Sequence, residues 1–146
     1  IELIEQGARA AGRRLSDIEI GTSIVFSASH DRRQALEAAK RGMMFYIIYP
    51  KFDPIVRTTK FMSEIQALRE AHWSGNVDRA YEILTEPIVD AFVVFGTPSE
   101  CRQKLDEYRA AGLELMVIRS CVDKINGMQA VVENIEALKG YSQPTR

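Results

Sequence analysis

Apolar positions along this chain change period several times, and each change marks an element. Ile1, Ile4, Ala8 and Ala11 recur at helical spacing until Gly12 and Arg13-Arg14, a reasonable helix stop. In "LSDIEIGTSIVFSAS" the β-branched residues and the apolar run on both faces at its end predict a buried strand over Ile18 to Ser27. Asp31, with Gln34 three positions on, is placed to cap a helix through "RRQALEAAKRGMMFYIIY" that stops before Pro50. From Lys51 to Gly75, Ile55, Thr59, Met62 and Leu68 give helix with imperfect periodicity. Ser74 to Asn76 reads as a turn and "VDRAYEIL" as a short helix, with Thr85 capping a further segment, "EPIVDAFVVF".

Gly96-Thr97-Pro98-Ser99-Glu100 raises the first question of chemistry. A P-loop needs a longer glycine-rich stretch ending in Lys and then Ser or Thr, and a dinucleotide fingerprint needs three spaced glycines. Neither is present. Thr at the cap, Pro at the first helical position and Glu at the third form a capping box instead, which satisfies amides that would otherwise lack partners. That helix runs through Cys101, Leu105, Tyr108 and Ala111, closes at Gly112, and feeds a second strand in "LELMVIRS". A last helix follows in "DKINGMQAVVENIEALKG". Strands near residues 20 and 116 separated by helices imply parallel strands with helical crossovers, hence an α/β sheet or barrel. Two strands cannot close a barrel, and a parallel pair with bare edges is a poor independent fold, so a further part or a partner is expected to complete it.

Composition narrows the function classes. The 146 residues are 46% hydrophobic and 27% charged, the balance of one globular unit. Nineteen Lys and Arg against 20 Asp and Glu, with no long block of either sign, give no electrostatic footprint for nucleic acid or an anionic membrane, so a small-molecule substrate is the expected partner. No apolar run approaches the roughly 20 residues of a membrane-spanning helix, and no secretory leader pattern opens the sequence, so a cytoplasmic protein is expected. Cys101 and Cys121 are read as reduced thiols. The chain opens on Ile1-Glu2-Leu3-Ile4-Glu5, without Met and already in a helical pattern, which reads as a start inside a longer chain.

The ordered series of motifs resembles one family. "GTPSECRQKLDEYRAAGLELMVI" is similar to the segment near the C-terminus of the luciferase-like flavin- and deazaflavin-dependent oxidoreductases, where Gly-Thr-Pro, a charged helix and Ala-Gly precede the last barrel strand. "GARAAGRRLSDIEIGTSIVFSASHDRRQALEAAKRG" is similar to that family's helix six, strand seven and helix seven, and "LTEPIVDAFVVFG" to its linking helix. The resemblance implies an α/β fold, the C-terminal part of a (β/α)8 TIM barrel, helix-rich with two or three parallel strands, residues 1–146 forming one unit whose N-terminal part is absent. It also implies an oxidoreductase or monooxygenase using FMN or the deazaflavin coenzyme F-420. The connection from Ala28 to Gly112 resembles the region holding the family's extra helices near the substrate entrance. The family's cofactor contacts lie mostly on loops after earlier strands, so the fragment alone is expected to be inactive. The alternative is a stand-alone, non-catalytic half-barrel, a binding or oligomerisation module whose open edges another copy covers; a homo-oligomer is expected.

In such a barrel the C-terminal ends of the strands face the chemistry. Arg119 and Ser120, ending the last strand, are therefore the candidate cofactor-binding residues, with Ser27 and Ser29 after the earlier strand beside them. The Arg119 guanidinium suits bidentate capture of a phosphate or carboxylate, although a structural ion pair with Asp123 explains it as well. Phe45, Tyr46, Tyr49, Phe52 and Trp73 either line a flavin or substrate pocket or simply pack helices. His30 and His72 lack metal-ligand spacing, and no metal is expected. With two histidines and no Gly-x-Ser-x-Gly elbow, a hydrolase is disfavoured. No catalytic residue stands out, which suits chemistry carried by a cofactor.

Overall fold

The computed structural model describes residues 1–121 and 127–141. Its elements are α1 (Glu2–Ala10), β1 (Gly21–Ala28), α2 (Arg32–Ile47), α3 (Asp53–Val56), α4 (Met62–Trp73), α5 (Val77–Ile83), α6 (Glu86–Asp90), β2 (Val94–Gly96), α7 (Pro98–Ala110), β3 (Leu115–Ser120) and α8 (Gly127–Ala137). The three strands form one parallel sheet in the order β2-β1-β3. β1 pairs with β3 from Gly21 opposite Leu115 to Phe26 opposite Ser120, and with β2 from Phe26 opposite Val94 to Ala28 opposite Gly96. β2 thus lies on the edge of β1 away from β3, and not between them as strict chain order around a barrel would place it.

Most expected elements form, with three differences. The first strand starts at Gly21 rather than Ile18, because Leu15–Asp17 close a 3-10 turn. Arg14 and Asp17 hold that turn by backbone and side-chain hydrogen bonds. The stretch from Lys51 to Gly75 is two helices, which is why its periodicity slips. The Thr58 and Thr59 hydroxyls donate to the carbonyls of Ile55 and Val56, ending α3 before Met62 opens α4. "EPIVDAFVVF" is not one element either: α6 ends at Asp90 and the buried Val94 and Phe95 enter β2. The beginning of "DKINGMQ" lies outside the described residues; Gly127–Ala137 are helical as expected.

Strand alternation sorts the side chains onto two cores. Ile24, Phe26 and Ala28 of β1, with Val94 and Met116, pack against Cys101 and Leu105 of α7 and Ala137 of α8. Val25, Phe95 and Cys121 turn to the other side, against Met43 and Ile47 of α2 and the α4–α6 excursion. A strand covered by helices on both faces should read as a continuous apolar run, and β1 does so from Ile24 to Phe26, while Gly21, Thr22 and Ser23 at its start are exposed. β3 is covered on one side only: Leu115 and Val117 are 41% and 52% exposed, alternating with buried Met116.

Candidate functional site

Parallel pairing brings the C-terminal ends of all three strands to one side, where Ala28, Gly96 and Ser120 end their elements. A cavity of about 570 Å³ opens there between β1, the start of α2 and α8, lined by Ser27, Ser29, Arg33, Gln34 and Asn134 among others. A second, of about 670 Å³, shares Ser29, Gln34, Gln129 and Glu133 with it and adds His30, Asp31, Pro98 and Arg102. Together they make a polar groove across the strand ends, the position where α/β folds hold ligands.

The rim of the groove is fixed by local hydrogen bonds. Ser29 N–H donates to the Gly96 carbonyl, and Asp31 N–H to the Ser29 hydroxyl oxygen. The Ser27 hydroxyl donates to the Ala35 carbonyl at 2.9 Å inside the core, so it is not offered to a ligand. Of the two serines, Ser29 lines both parts of the groove and its hydroxyl is seen only as an acceptor, from Asp31 N–H.

Two of the helix N-termini at the groove, those of α2 and α7, are capped by their own side chains. The Asp31 carboxylate accepts from Arg33 and Gln34 N–H at 2.9 and 3.4 Å at the start of α2. At α7 the Glu100 carboxylate accepts from Thr97 N–H at 2.7 Å while Thr97 Oγ1 accepts from Glu100 N–H, completing the capping box. Gly96, at φ +138°, has no room for a side chain: a Cβ would lie 2.7 Å from Glu100 Oε2. Gly-Thr-Pro is therefore a helix cap pressed against its own glutamate.

Arg32 ties the same region together. Its guanidinium donates to Glu86 at 2.7 Å and to Glu100 at 3.0 Å and lies over the Phe95 ring. Glu86 is held below its ordinary value chiefly by the Arg32 hydrogen bond, and Glu100 chiefly by the Thr97 amide and hydroxyl, with Arg32 adding to it. Carboxylates with lowered folded values contribute stability above their ordinary value of 4.5 and lose it as pH falls through the folded values. Both are about half exposed, so the effect is small, about 1 kcal/mol or less. Arg32→Met is expected to remove that part of the stability at pH 7 and to have little effect below the folded values. Urea melts of both proteins across this range measure the difference.

Asn134 escaped the sequence reading. It is 3% exposed on α8, and its Oδ1 accepts from Ala28 N–H at 2.7 Å while Nδ2 donates to the Phe26 carbonyl at 3.5 Å. β3 has ended by this point, so the side-chain amide continues the ladder along β1 where backbone pairing stops. The signal in the sequence is an Asn in register with Ala130 and Ala137 on the apolar stripe of the helix.

Arg119 and Ser120, expected side by side at the strand end, go to opposite faces of the sheet because successive side chains alternate. Ser120 sits on the face of Phe26 and Ile118. Arg119 enters a side cavity of about 400 Å³ with Tyr46, Phe52, Ile55, Phe92 and Val93. Its Nη2 donates to the Tyr46 hydroxyl, and its guanidinium carbon is 5.0 Å from the centre of that ring. Tyr46 meets Phe45 and Phe52 edge-on. Of the expected aromatic group, Tyr46 and Phe52 line the cavity. Phe45 is 69% exposed, and Tyr49 packs against Trp73, whose indole donates to the Ile48 carbonyl. An ion pair of Arg119 with Asp123 falls outside the described residues. His30 lines the groove, whereas His72 stacks edge-on against Trp73 with Nδ1 buried and unbonded. Among the described residues no three His, Cys, Asp or Glu side chains converge as a metal site would require. Burial pushes the Cys101 and Cys121 thiols up to about 12, so neither supplies a thiolate near neutral pH. No helix among the described residues is long and apolar enough to cross a membrane.

Comparison with known proteins agrees with this geometry. Residues 1–115 match the luciferase-like monooxygenase family. The 5,10-methylenetetrahydromethanopterin reductase of Methanopyrus kandleri is 27% identical over 134 residues, covering 90% of this chain and 38% of that protein. Among solved structures, the coenzyme F-420-dependent tetrahydromethanopterin reductase of Methanopyrus kandleri superposes with a TM-score of 0.69 at 24% identity, over 90% of this chain and 38% of that one. An F-420-dependent secondary alcohol dehydrogenase, in complex with an F-420–acetone adduct, gives 0.54 at 21% identity over 92% and 36%. This chain therefore spans under two fifths of the length of these relatives. Its helix-rich α/β fold is part of the (β/α)8 barrel expected from its motifs, and the chain belongs to the luciferase-like monooxygenase family.

Proposed function

We propose that this chain is the C-terminal part of an oxidoreductase that uses the deazaflavin coenzyme F-420, rather than FMN, to act on a small molecule. The observation that carries the reading is the polar groove across the aligned strand ends, in a chain whose 27%-identical relative and two structural neighbours are reductases or dehydrogenases, both neighbours being F-420-dependent. When bound, the coenzyme supplies hydride transfer, and the protein orients it.

The residues of this chain fit a limited share of that task. Ser29, Gln34 and Arg33 can donate hydrogen bonds from the groove wall to polar edges of a ring. The starts of α2 and α7 are capped by their own side chains, so we assign the coenzyme's phosphodiester mainly to other parts of the protein. Arg119 and Ser120 stay in this reading as ligand contacts reached from opposite faces of the sheet, Arg119 holding a negative charge and Ser120 a polar edge. They do not grip one group together.

A non-catalytic half-barrel is the second reading. The uncovered Leu115 and Val117 on β3 form an apolar face that another copy would cover in this reading and the rest of the barrel in the first. Titration of the full-length protein carrying this sequence with F-420 and with FMN, followed by cofactor fluorescence, separates the two. Saturable quenching of F-420 at concentrations where FMN is unaffected is expected. Tighter binding of FMN would overturn the choice of cofactor, and binding of neither would leave the half-barrel.

A further inference from the structure

The side cavity holding Arg119 combines features that point to a second kind of ligand. Its walls come from three places: Thr22, Ser23 and Val25 on β1, Met43, Tyr46 and Ile47 on α2, and the excursion residues Phe52, Ile55 and Ala91–Val93. The lining is mainly apolar and aromatic, and Arg119 is the one charged side chain among the described lining residues. Arg119 is exposed at the open edge of this cavity, and a cation beside apolar walls whose described lining holds no acid favours an anionic ligand with a body that covers those walls. Tyr46 already fixes the guanidinium, by one hydrogen bond and by its ring face, so little ordering remains for binding to impose. The guanidinium has five N–H donors, and the Tyr46 contact takes one of them. A free inorganic anion would leave the apolar walls wet, whereas an aromatic or branched body would cover Phe52, Ile55 and Phe92.

We propose that this cavity binds a small organic acid with an apolar, preferably aromatic, body, Arg119 pairing with the carboxylate and the walls taking the body. At about 400 Å³ the cavity is near the lower end of the roughly 300–1,000 Å³ of ligand pockets, which suits a single ring or its equivalent. Described as the substrate of the enzyme, this ligand rests on the oxidoreductase reading; its binding does not, and is measured without any cofactor.

The test uses benzoate on the full-length protein, by calorimetry and by the fluorescence of the cavity tyrosine. Benzyl alcohol supplies the same ring without the charge, and acetate the charge without the ring. Saturable binding of benzoate is expected, with both controls weaker by about tenfold or more, as loss of a charge-assisted pair or of the ring's burial implies. Arg119→Met, which keeps the stem of the side chain, should weaken benzoate about tenfold or more, and Arg119→Lys, which keeps the charge but not the fork, should fall between. Tyr46→Phe should weaken it severalfold by releasing the guanidinium. Equal binding of benzyl alcohol, unchanged affinity in Arg119→Met, or no saturable benzoate binding would each overturn the proposal. Failure of both F-420 and FMN to bind while benzoate still does would remove the oxidoreductase reading and leave this site standing.

Discussion

Asn134→Leu is expected to cost about 1–3 kcal/mol of stability, the usual consequence of leaving one buried backbone donor without a partner. The loss concentrates on Ala28 N–H, whose bond to Asn134 Oδ1 is the short one at 2.7 Å. The Phe26 carbonyl keeps its bond from Cys121 N–H at 2.8 Å, so losing the long 3.5 Å contact to Nδ2 matters little. Asn134→Asp discriminates this account from simple packing. A buried carboxylate still accepts from Ala28 N–H but faces the Phe26 carbonyl, oxygen to oxygen, and burial disfavours its charged form. Once protonated, its hydroxyl can donate to that carbonyl and restore both bonds. Its folded pKa is thus raised, and the deficit of Asn134→Asp relative to the parent should shrink as pH falls toward 5. A deficit that does not change with pH would mean that Asn134 matters for its shape alone. Because Ala28 leads directly into Ser29, hydrogen exchange at the groove rim should rise in the Leu variant.

Gly42→Ala is expected to destabilise the protein by up to about 2 kcal/mol, although Ala is the better helix former by about 1 kcal/mol. Gly42 lies in the middle of α2, and a Cβ there would meet Cys121 Sγ at 2.6 Å and Cys121 Cβ at 3.0 Å. Cys121 is 4% exposed and its N–H is tied to the Phe26 carbonyl, so it cannot swing away without moving the end of β3. Overpacking of this kind costs about 1–3 kcal/mol, which outweighs the gain in propensity. In a Cys121→Ala background the 2.6 Å clash with sulfur is gone while the 3.0 Å contact with Cβ stays, so Gly42→Ala should cost less there, a coupling of about 1 kcal/mol between adjacent sites. Chemical denaturation of the four proteins reads it. Equal costs in both backgrounds would show that the glycine is required for another reason.

What the sequence revealed follows the range of the interactions involved. The caps at Asp31 and Thr97–Glu100 are made between residues two or three apart, so the residue types alone announce them. β1 and β3 carry enough consecutive apolar residues to be seen, but β2 is three residues long and exists as a strand through its pairing with Phe26–Ala28. The approach of Arg119 to Tyr46 spans 73 positions, and the bridge from Asn134 to Ala28 spans 106, distances over which no periodicity speaks. Strand alternation alone separates Arg119 from Ser120, a rule that the expectation of a shared cofactor contact passed over. Which residues line the groove and which the side cavity depends on where α2 and α8 settle, and that comes from packing.

The most direct test of the oxidoreductase reading is hydrogen exchange, by mass spectrometry, of the full-length protein with and without saturating F-420. The account predicts slowed exchange across Ser29–Gln34 and the neighbouring end of β3, with FMN at the same concentration leaving these peptides unchanged. F-420 that binds while every peptide of this chain exchanges as before would contradict it, placing the cofactor wholly outside the groove described.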